Sequence, residues 1–173
     1  MDRDLTSRKK CDRLYLFVKK VMEKYNFQFC PKIVVFSSDL KSVLLCKRKG
    51  ESDYDGVFSF IGGKMEITDE SILAGLVREK NEEVGKNFRI SLCVKYSTNL
   101  FFIKKDGSRL ILPHYYAIHR SGEIKLNEEY SEFKWVMVDE LENFEPKIGN
   151  IPESVGDMRL LMRLQDENDF TEI

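Results

Sequence analysis

Glu79, Glu82 and Glu83 stand at i, i+3 and i+4, directly after Arg78 and shortly before Gly85. On a helix this spacing sends three carboxylates out of one face, within reach of one another. Such a face repels itself unless a cation joins it. Hard divalent ions such as Mg²⁺ take carboxylate oxygens and keep positions open for water and substrate phosphates, so the cluster predicts phosphate chemistry. Ile72, Leu73, Leu76, Val77 and Val84 recur at helical spacing on another side, which predicts a helix over 69–84 with its acidic side turned to a cleft or to solvent. Ahead of it, Gly62-Gly63 permits positive φ or close backbone approach, and Gly85 falls where a helix end favours glycine. Acidic runs on helices are usually plain solvated faces. The joint occurrence of the glycine pair, the spaced glutamates, the arginine and the closing glycine argues for a site.

This arrangement resembles the Nudix box: Gly, five residues, Glu, seven residues, then Arg-Glu-apolar-any-Glu-Glu-any-Gly and an apolar residue. Arg78-Glu79-x-x-Glu82-Glu83-x-Gly85 matches every charged position. Counting back from Arg78 places the remaining glutamate at Glu70, with one extra residue after Gly63; counting from Gly63 selects Asp69. Glu70 is favoured, on the ground that a helix fixes spacing while a loop absorbs an insertion. Lys80 and Lys86 replace apolar positions of the box, and Ile61 replaces the proline of the lead-in. The Lys80 stem could pack in the apolar stripe with its ammonium reaching outward, or lie beside the acidic cluster and alter metal affinity.

The resemblance implies roles. Gly63, Glu79, Glu82, Glu83 and Glu129 are expected to bind Mg²⁺ or Mn²⁺, with Glu70 paired to Arg78 as support for the ligands. Glu83 and Glu129 are the contenders for general base, and Glu82 belongs to the same catalytic set. Glu129 lies in a segment, 129–135, resembling one from which the family draws a further glutamate; Glu132 is the second choice. Arg48 resembles a family residue that meets a substrate phosphate, a role suited to its bidentate fork. Phe58 matches the aromatic of the family lead-in, and Asn150, after Phe144-Glu145-Pro146, resembles a residue that holds a purine. These three form the expected substrate-binding set. Trp135 reads as core, and His114 and His119 as ordinary strand residues.

The chain of 173 residues suits one domain with a sizeable core. A formal net charge of −1 gives no global signature of nucleic-acid binding. Apolar runs are strand-sized, far short of a membrane span, and the N-terminus lacks the apolar region of a signal peptide, so a cytoplasmic protein with no membrane partner is expected. Cys11, Cys30, Cys46 and Cys93 show no paired spacing and read as buried reduced thiols.

Apolar residues at helical spacing over 6–25, among many lysines and arginines, predict an amphipathic helix. Strands are expected at 32–37 and 42–46 (a hairpin), at 56–61, and at 91–103, 109–119 and 132–138, with a last helix over 153–164. The fold class expected is α/β, a Nudix-type α/β/α sandwich on a central mixed sheet with an extra N-terminal amphipathic helix. The domain boundaries expected are 1–27 for that extension, 28–165 for the Nudix domain and 166–173 for a polar tail. Function is then expected to be metal-dependent pyrophosphohydrolysis of a nucleoside diphosphate linked to another moiety, such as a nucleotide sugar, dinucleotide or (d)NTP. Two alternatives stand beside it. One is an RNA 5′-end pyrophosphohydrolase or decapping activity, on the basic N-terminal helix. The other is a catalytically inactive binding or regulatory module, on Lys80, Lys86 and the loop departures. A homodimer through the N-terminal helix is a further expectation.

Overall fold

The computed structural model describes residues 27–173. The helix expected over 6–25, and with it the RNA and dimer readings, lies outside the described residues. Strands β1 (Phe27–Phe29), β2 (Lys32–Phe36), β3 (Ser42–Arg48) and β4 (Phe58–Ser59) lead to helix α1 (Ile72–Glu83). Strands β5 (Arg89–Ile103), β6 (Arg109–Ser121) and β7 (Tyr130–Met137), helix α2 (Ile151–Leu161) and β8 (Phe170–Glu172) follow. The sheet runs β4-β3-β2-β6-β5-β8, with β1 on β6 and β7 on β3. It is mixed, because β1 and β2 lie parallel to β6 while the other pairings are antiparallel.

Alternation along the buried strands makes two cores. Ile33 and Val35 of β2, with Leu44 and Cys46 of β3, pack toward Leu76 of α1 and Val84 at its C-terminal cap. Val34 and Phe36, with Val43 and Leu45, pack toward Ile151, Val155 and Met158 of α2. Continuous apolar runs such as 33–36 therefore mean burial on both faces, which a layer of helix on each side supplies here. Among the described residues, no helix is long and apolar enough to cross a membrane. Cys30, Cys46 and Cys93 are free and buried.

Two expectations need correction. The 166–173 segment is not simply a polar tail: after a capped turn at Asp166, β8 pairs with Ser91–Cys93 of β5. Phe170 packs edge-on against Tyr116, with ring centroids 5.5 Å apart, and Ile173 exchanges both backbone hydrogen bonds with Ile90 at 3.0 Å. Two apolar side chains at the end of a polar stretch were enough to add a strand. The second correction concerns α1, which begins at Ile72 rather than Asp69. Ser71 adopts extended φ/ψ and its Oγ accepts from Ala74 N at 3.0 Å, so it is the N-cap.

His114 on β6 is 4% exposed, its Nδ1 lies 2.9 Å from the Leu112 carbonyl, and its ring meets Phe60 edge-on. Burial pushes its pKa down to about 4, and the nearby Lys32 charge adds to that. The unfolded chain takes up this proton near pH 6.5 while the folded chain refuses it until about pH 4. Stability should therefore fall as pH drops through that window, by up to about 3 kcal/mol. His114→Gln should flatten the slope of unfolding free energy between pH 7 and pH 5, where ordinary carboxylates barely titrate; an unchanged slope in urea titrations would refute the assignment.

Candidate active site

Helix α1 lays Gly75, Leu76, Lys80 and Glu83 inward and presents Glu79 and Glu82 at the edge of a cleft. Its last carbonyls are met by the loop before β7, where Lys125 N donates to Val84 O at 2.9 Å and Asn127 N to Glu83 O at 3.1 Å. Those bonds fix the Glu129 loop against the helix, as orphan terminal carbonyls require. Gly85, at φ +92°, makes the reversal between them.

Glu83 is 3% exposed. One of its oxygens accepts from Gly62 N at 2.5 Å and the other from Tyr130 Oη at 2.8 Å. Burial raises its pKa, opposed by Lys32, whose own pKa burial lowers. The Lys32 ammonium donates to the Gly62 carbonyl. Gly62 sits at φ +108°, and a Cβ there would meet Pro31 O at 2.5 Å, so this residue must be glycine. A Cβ on Gly63 would meet the Glu79 carboxyl carbon at 2.7 Å. The glycine pair thus lets the backbone lie directly on the acidic face.

Arg78 is the hub of that face. Its Nε and Nη2 donate to the two oxygens of Asp69 at 3.0 and 2.9 Å, and Nη2 also to Lys64 O at 2.9 Å. Nη1 donates to Glu79 at 2.8 Å and Glu82 at 3.2 Å. These hydrogen bonds raise the Arg78 pKa, the Asp69 bond most, and hold Asp69 down to about 2. Asp69, not Glu70, is therefore the partner of Arg78; Glu70 is exposed and makes no hydrogen bond or ion pair among the described residues. The reason is the late start of α1. Residues 69 and 70 lie in a turn, where Glu66 N donates to Asp69 Oδ2 at 2.8 Å and Asp69 N to Glu66 O at 3.0 Å, so helical spacing does not govern them.

Lys80 takes neither expected position. It is 1% exposed and its ammonium donates to Phe88 O at 2.9 Å, on the core side of α1. Phe58, expected at the substrate, is also corrected: it is 1% exposed and packs at 5.1 Å, edge-on, against Phe144 in the core under α2. β4 ends the sheet order, but Phe58 bridges to Lys147 and its side chain sits in the core with Ile151 and Val155, so it is covered.

Gly63, Arg78, Glu79, Glu82, Glu83, Glu129, Arg48 and Asn150 all line one cleft of about 950 Å³. Glu129 is exposed there, with Asn127 Nδ2 at 3.3 Å. Arg48 pairs with Glu51, and its Nε is buried with no hydrogen-bond partner among the described residues. Asn150 Nδ2 donates to Ser154 Oγ at 3.2 Å. Sequence reasoning weighed Asp69 and preferred Glu70, and it missed Lys32 and Tyr130. Lys32, a lone cation opening a fully apolar strand, was the legible signal; Tyr130 adjoins Glu129 but nothing in its neighbours announces a bond to Glu83.

Does this set suit a divalent ion? Among the described residues, no three His, Cys, Asp or Glu side chains already converge on one point. Glu83 is committed to Gly62 and Tyr130, and Arg78 spans Glu79 and Glu82. The donor chemistry nevertheless fits a hard cation: carboxylate oxygens beside the backbone of Gly63, two of the carboxyls raised in pKa by burial, and Glu82 with 57% of its side chain open to solvent.

Comparison with known proteins agrees with this geometry. A structure of a MutT protein from Methanosarcina mazei Go1 superposes with a TM-score of 0.64 at 19% identity, over 79% of this chain and 96% of that one. A C. elegans Ap4A hydrolase, solved as a binary complex, gives a TM-score of 0.62 at 16% identity, over 79% and 96%. The NUDIX domain of Shewanella oneidensis NrtR, complexed with ADP ribose, gives 0.57 at 18% identity, over 79% and 88%. A search of curated proteins by sequence finds no significant match. The family model described as NUDIX domain matches residues 31–155, a span that runs from the glycine-facing Pro31 through the acidic helix to α2, and the chain belongs to the Nudix hydrolases, which act on acid anhydrides in phosphorus-containing compounds.

Proposed function

We propose that this protein is a divalent-metal-dependent pyrophosphohydrolase that cleaves a nucleoside diphosphate linked to another moiety. One observation carries the reading. A single cleft joins the acidic edge of α1 to a wall bearing the cations Lys32, Arg48, Lys64 and Lys104 and the apolar side chains Leu100, Phe102 and Leu110. A substrate with phosphates in its middle and a flat apolar group at one end meets complementary chemistry along that length. ADP ribose, bound by the NrtR domain, and Ap4A, for which the C. elegans hydrolase is named, have that shape.

Glu79, Glu82, Glu83 and the Gly63 carbonyl would hold Mg²⁺ or Mn²⁺, which when bound supplies charge neutralisation for a diphosphate and acidifies water. The protein's own groups do the rest. Arg78 holds Glu79 and Glu82 in register with Asp69 and the Lys64 carbonyl, so the acidic edge is oriented before substrate arrives. Tyr130 and Gly62 fix both oxygens of Glu83. Lys32 and Arg48 face the phosphates, Arg48 exchanging its Glu51 partner for phosphate oxygens. Glu129, exposed on the cleft and free of any cation within the described residues, is the better placed of the two candidate bases, because Glu83 already accepts two hydrogen bonds. Lys80 points away from the acidic edge, which favours a working enzyme over an inactive module.

The test is a hydrolysis screen of nucleotide sugars, (d)NTPs, dinucleotide polyphosphates and 5′-triphosphorylated RNA, with Mg²⁺, Mn²⁺ or a chelator. Metal-dependent release of a nucleoside monophosphate from at least one small-molecule class is expected. Cleavage confined to RNA, or none at all, defeats the proposal.

A further inference from the structure

The loop from Gly50 to Gly56, between β3 and β4, is tied down along its length. Gly50 N donates to Asp55 Oδ1 at 2.7 Å, Gly56 N to Arg48 O at 2.9 Å and Lys105 Nζ to Ser52 O at 3.3 Å, while Arg48 and Glu51 form an ion pair across its base. Its middle carries two side chains that phosphate chemistry does not use. Asp53 is 7% exposed and lines the cleft, yet its one hydrogen bond among the described residues comes from Ser52 Oγ to Oδ2 at 3.4 Å. Among those residues it has no ion pair, although Arg48 and Lys104 line the same cleft. A carboxylate can only accept hydrogen bonds, and Asp53 Oδ1, without a hydrogen bond among the described residues yet not closed off from solvent, is open to a donor that enters the cleft. Tyr54, next in sequence, holds φ +62°, a left-handed conformation that costs a side-chain-bearing residue free energy and persists where surroundings impose it. Its ring stands 5.6 Å from Phe102 of β5, tilted by 46°, so the two aromatics meet across the cleft mouth.

We propose that this loop is the specificity element of the site, and that it reads a planar heterocycle presenting two adjacent N–H donors, the edge that guanine carries. The ring lies against Tyr54 and Phe102, and Asp53 receives the paired donors. Adenine places an acceptor beside its amino group on the corresponding edge, which faces the carboxylate lone pairs with another lone pair and leaves Asp53 unsatisfied. Sites built around a hydrogen-bonding group reject analogues lacking the matching group far more strongly than apolar pockets reject a change of size. The assignment rests on the diphosphate-hydrolase reading for the orientation of the phosphates.

The experiment is equilibrium titration of the full chain, in Mg²⁺, with non-hydrolysable methylene-bridged analogues of GTP, ITP and ATP. The guanine analogue is expected to bind at least about tenfold more tightly than the adenine analogue, with hypoxanthine between, since it keeps one donor of the pair. Asp53→Asn should reduce the difference to about twofold or less, because the amide can receive only one of the two guanine donors and can pair with both the amino group and the adjacent acceptor of adenine, and Tyr54→Leu should weaken all three by about tenfold through lost stacking. Thermal unfolding confirms that both variants fold. Equal binding of the bases by wild type, a guanine preference surviving Asp53→Asn, no binding of any analogue, or an equal penalty on all three from Asp53→Asn, as ribose contact would give, each overturns the proposal. The two readings fail separately. Cleavage of the substrate panel without base preference leaves the hydrolase standing and removes the loop assignment; selective guanine binding without any cleavage does the reverse.

Discussion

Glu83→Gln should lower kcat by roughly 10²- to 10³-fold on whichever diphosphate the protein cleaves, the range expected when one preorganised charge is removed from a reacting centre. Glu79→Gln should do the same. Neither substitution should unfold the protein. Glu83 is buried with a raised pKa, so its charge is held at a cost that the amide does not incur. The amide oxygen can still accept from Gly62 N, and the Tyr130 hydroxyl can turn to accept from the new NH₂. Tm should stay within a few degrees of wild type or rise. Steady-state kinetics alongside thermal unfolding decides it: a Glu83→Gln enzyme retaining activity within threefold removes the residue from the machinery, and a collapse of Tm with the loss of activity makes the effect structural.

The fold was legible wherever one rule governed a whole segment. Within β2 and β3, residues 33–36 and 43–46 are unbroken apolar runs of strand length, and burial on two faces follows from the lack of alternation. Legibility failed where a few contacts decided. β8 exists because Phe170 finds Tyr116 and Ile173 finds Ile90, partners some fifty or more residues away that no local pattern in a polar stretch reveals. Long-range pairing of this kind overrides local propensity.

The candidate site divides the same way. Glu79, Glu82 and Glu83 were readable as a set because helical periodicity alone gives them one side of α1. Their individual surroundings were not: Glu83 is drawn inward by Tyr130 and Gly62, whereas most of the Glu82 side chain faces solvent. Lys80 shows the limit of reading charge as exposure. It occupies an apolar position of the stripe, and its stem follows that stripe, but the ammonium finds the Phe88 carbonyl inside rather than water outside. Four methylenes are long enough to reach either, and the choice belongs to the chain after α1. Phe58 was misplaced for a complementary reason: an aromatic before a glycine loop reads equally well as lining or as core, and only the pairing of β4 with β3 makes it core.

The choice between Asp69 and Glu70 is the point at which sequence counting and geometry part, and substitution separates them cleanly. Asp69→Ala removes the carboxylate that receives both Nε and Nη2 of Arg78. The guanidinium then loses its bidentate anchor, keeps only the Lys64 carbonyl on that side, and no longer fixes Glu79 and Glu82. Supporting residues of this kind typically cost about 10- to 100-fold in metal affinity or activity. The expected signature is a raised metal requirement: activity of Asp69→Ala should recover in part as Mg²⁺ is increased, while Asp69→Glu recovers less than size alone suggests because the turn holding Asp69 to Glu66 is set for the shorter side chain. Glu70→Ala, exposed and unpaired, should behave as wild type. Acid gives an independent reading. With its pKa held at about 2, the Asp69 carboxylate keeps its bond to Arg78 at any pH above the ordinary aspartate range, and the stabilisation it lends is lost only as pH falls from about 4 toward 2. Wild type and Asp69→Ala should therefore differ in Tm at pH 6 and converge as the pH approaches 2, whereas wild type and Glu70→Ala should superpose throughout. A Glu70→Ala enzyme with the larger loss of activity would restore the helix-spacing argument and break the geometric one.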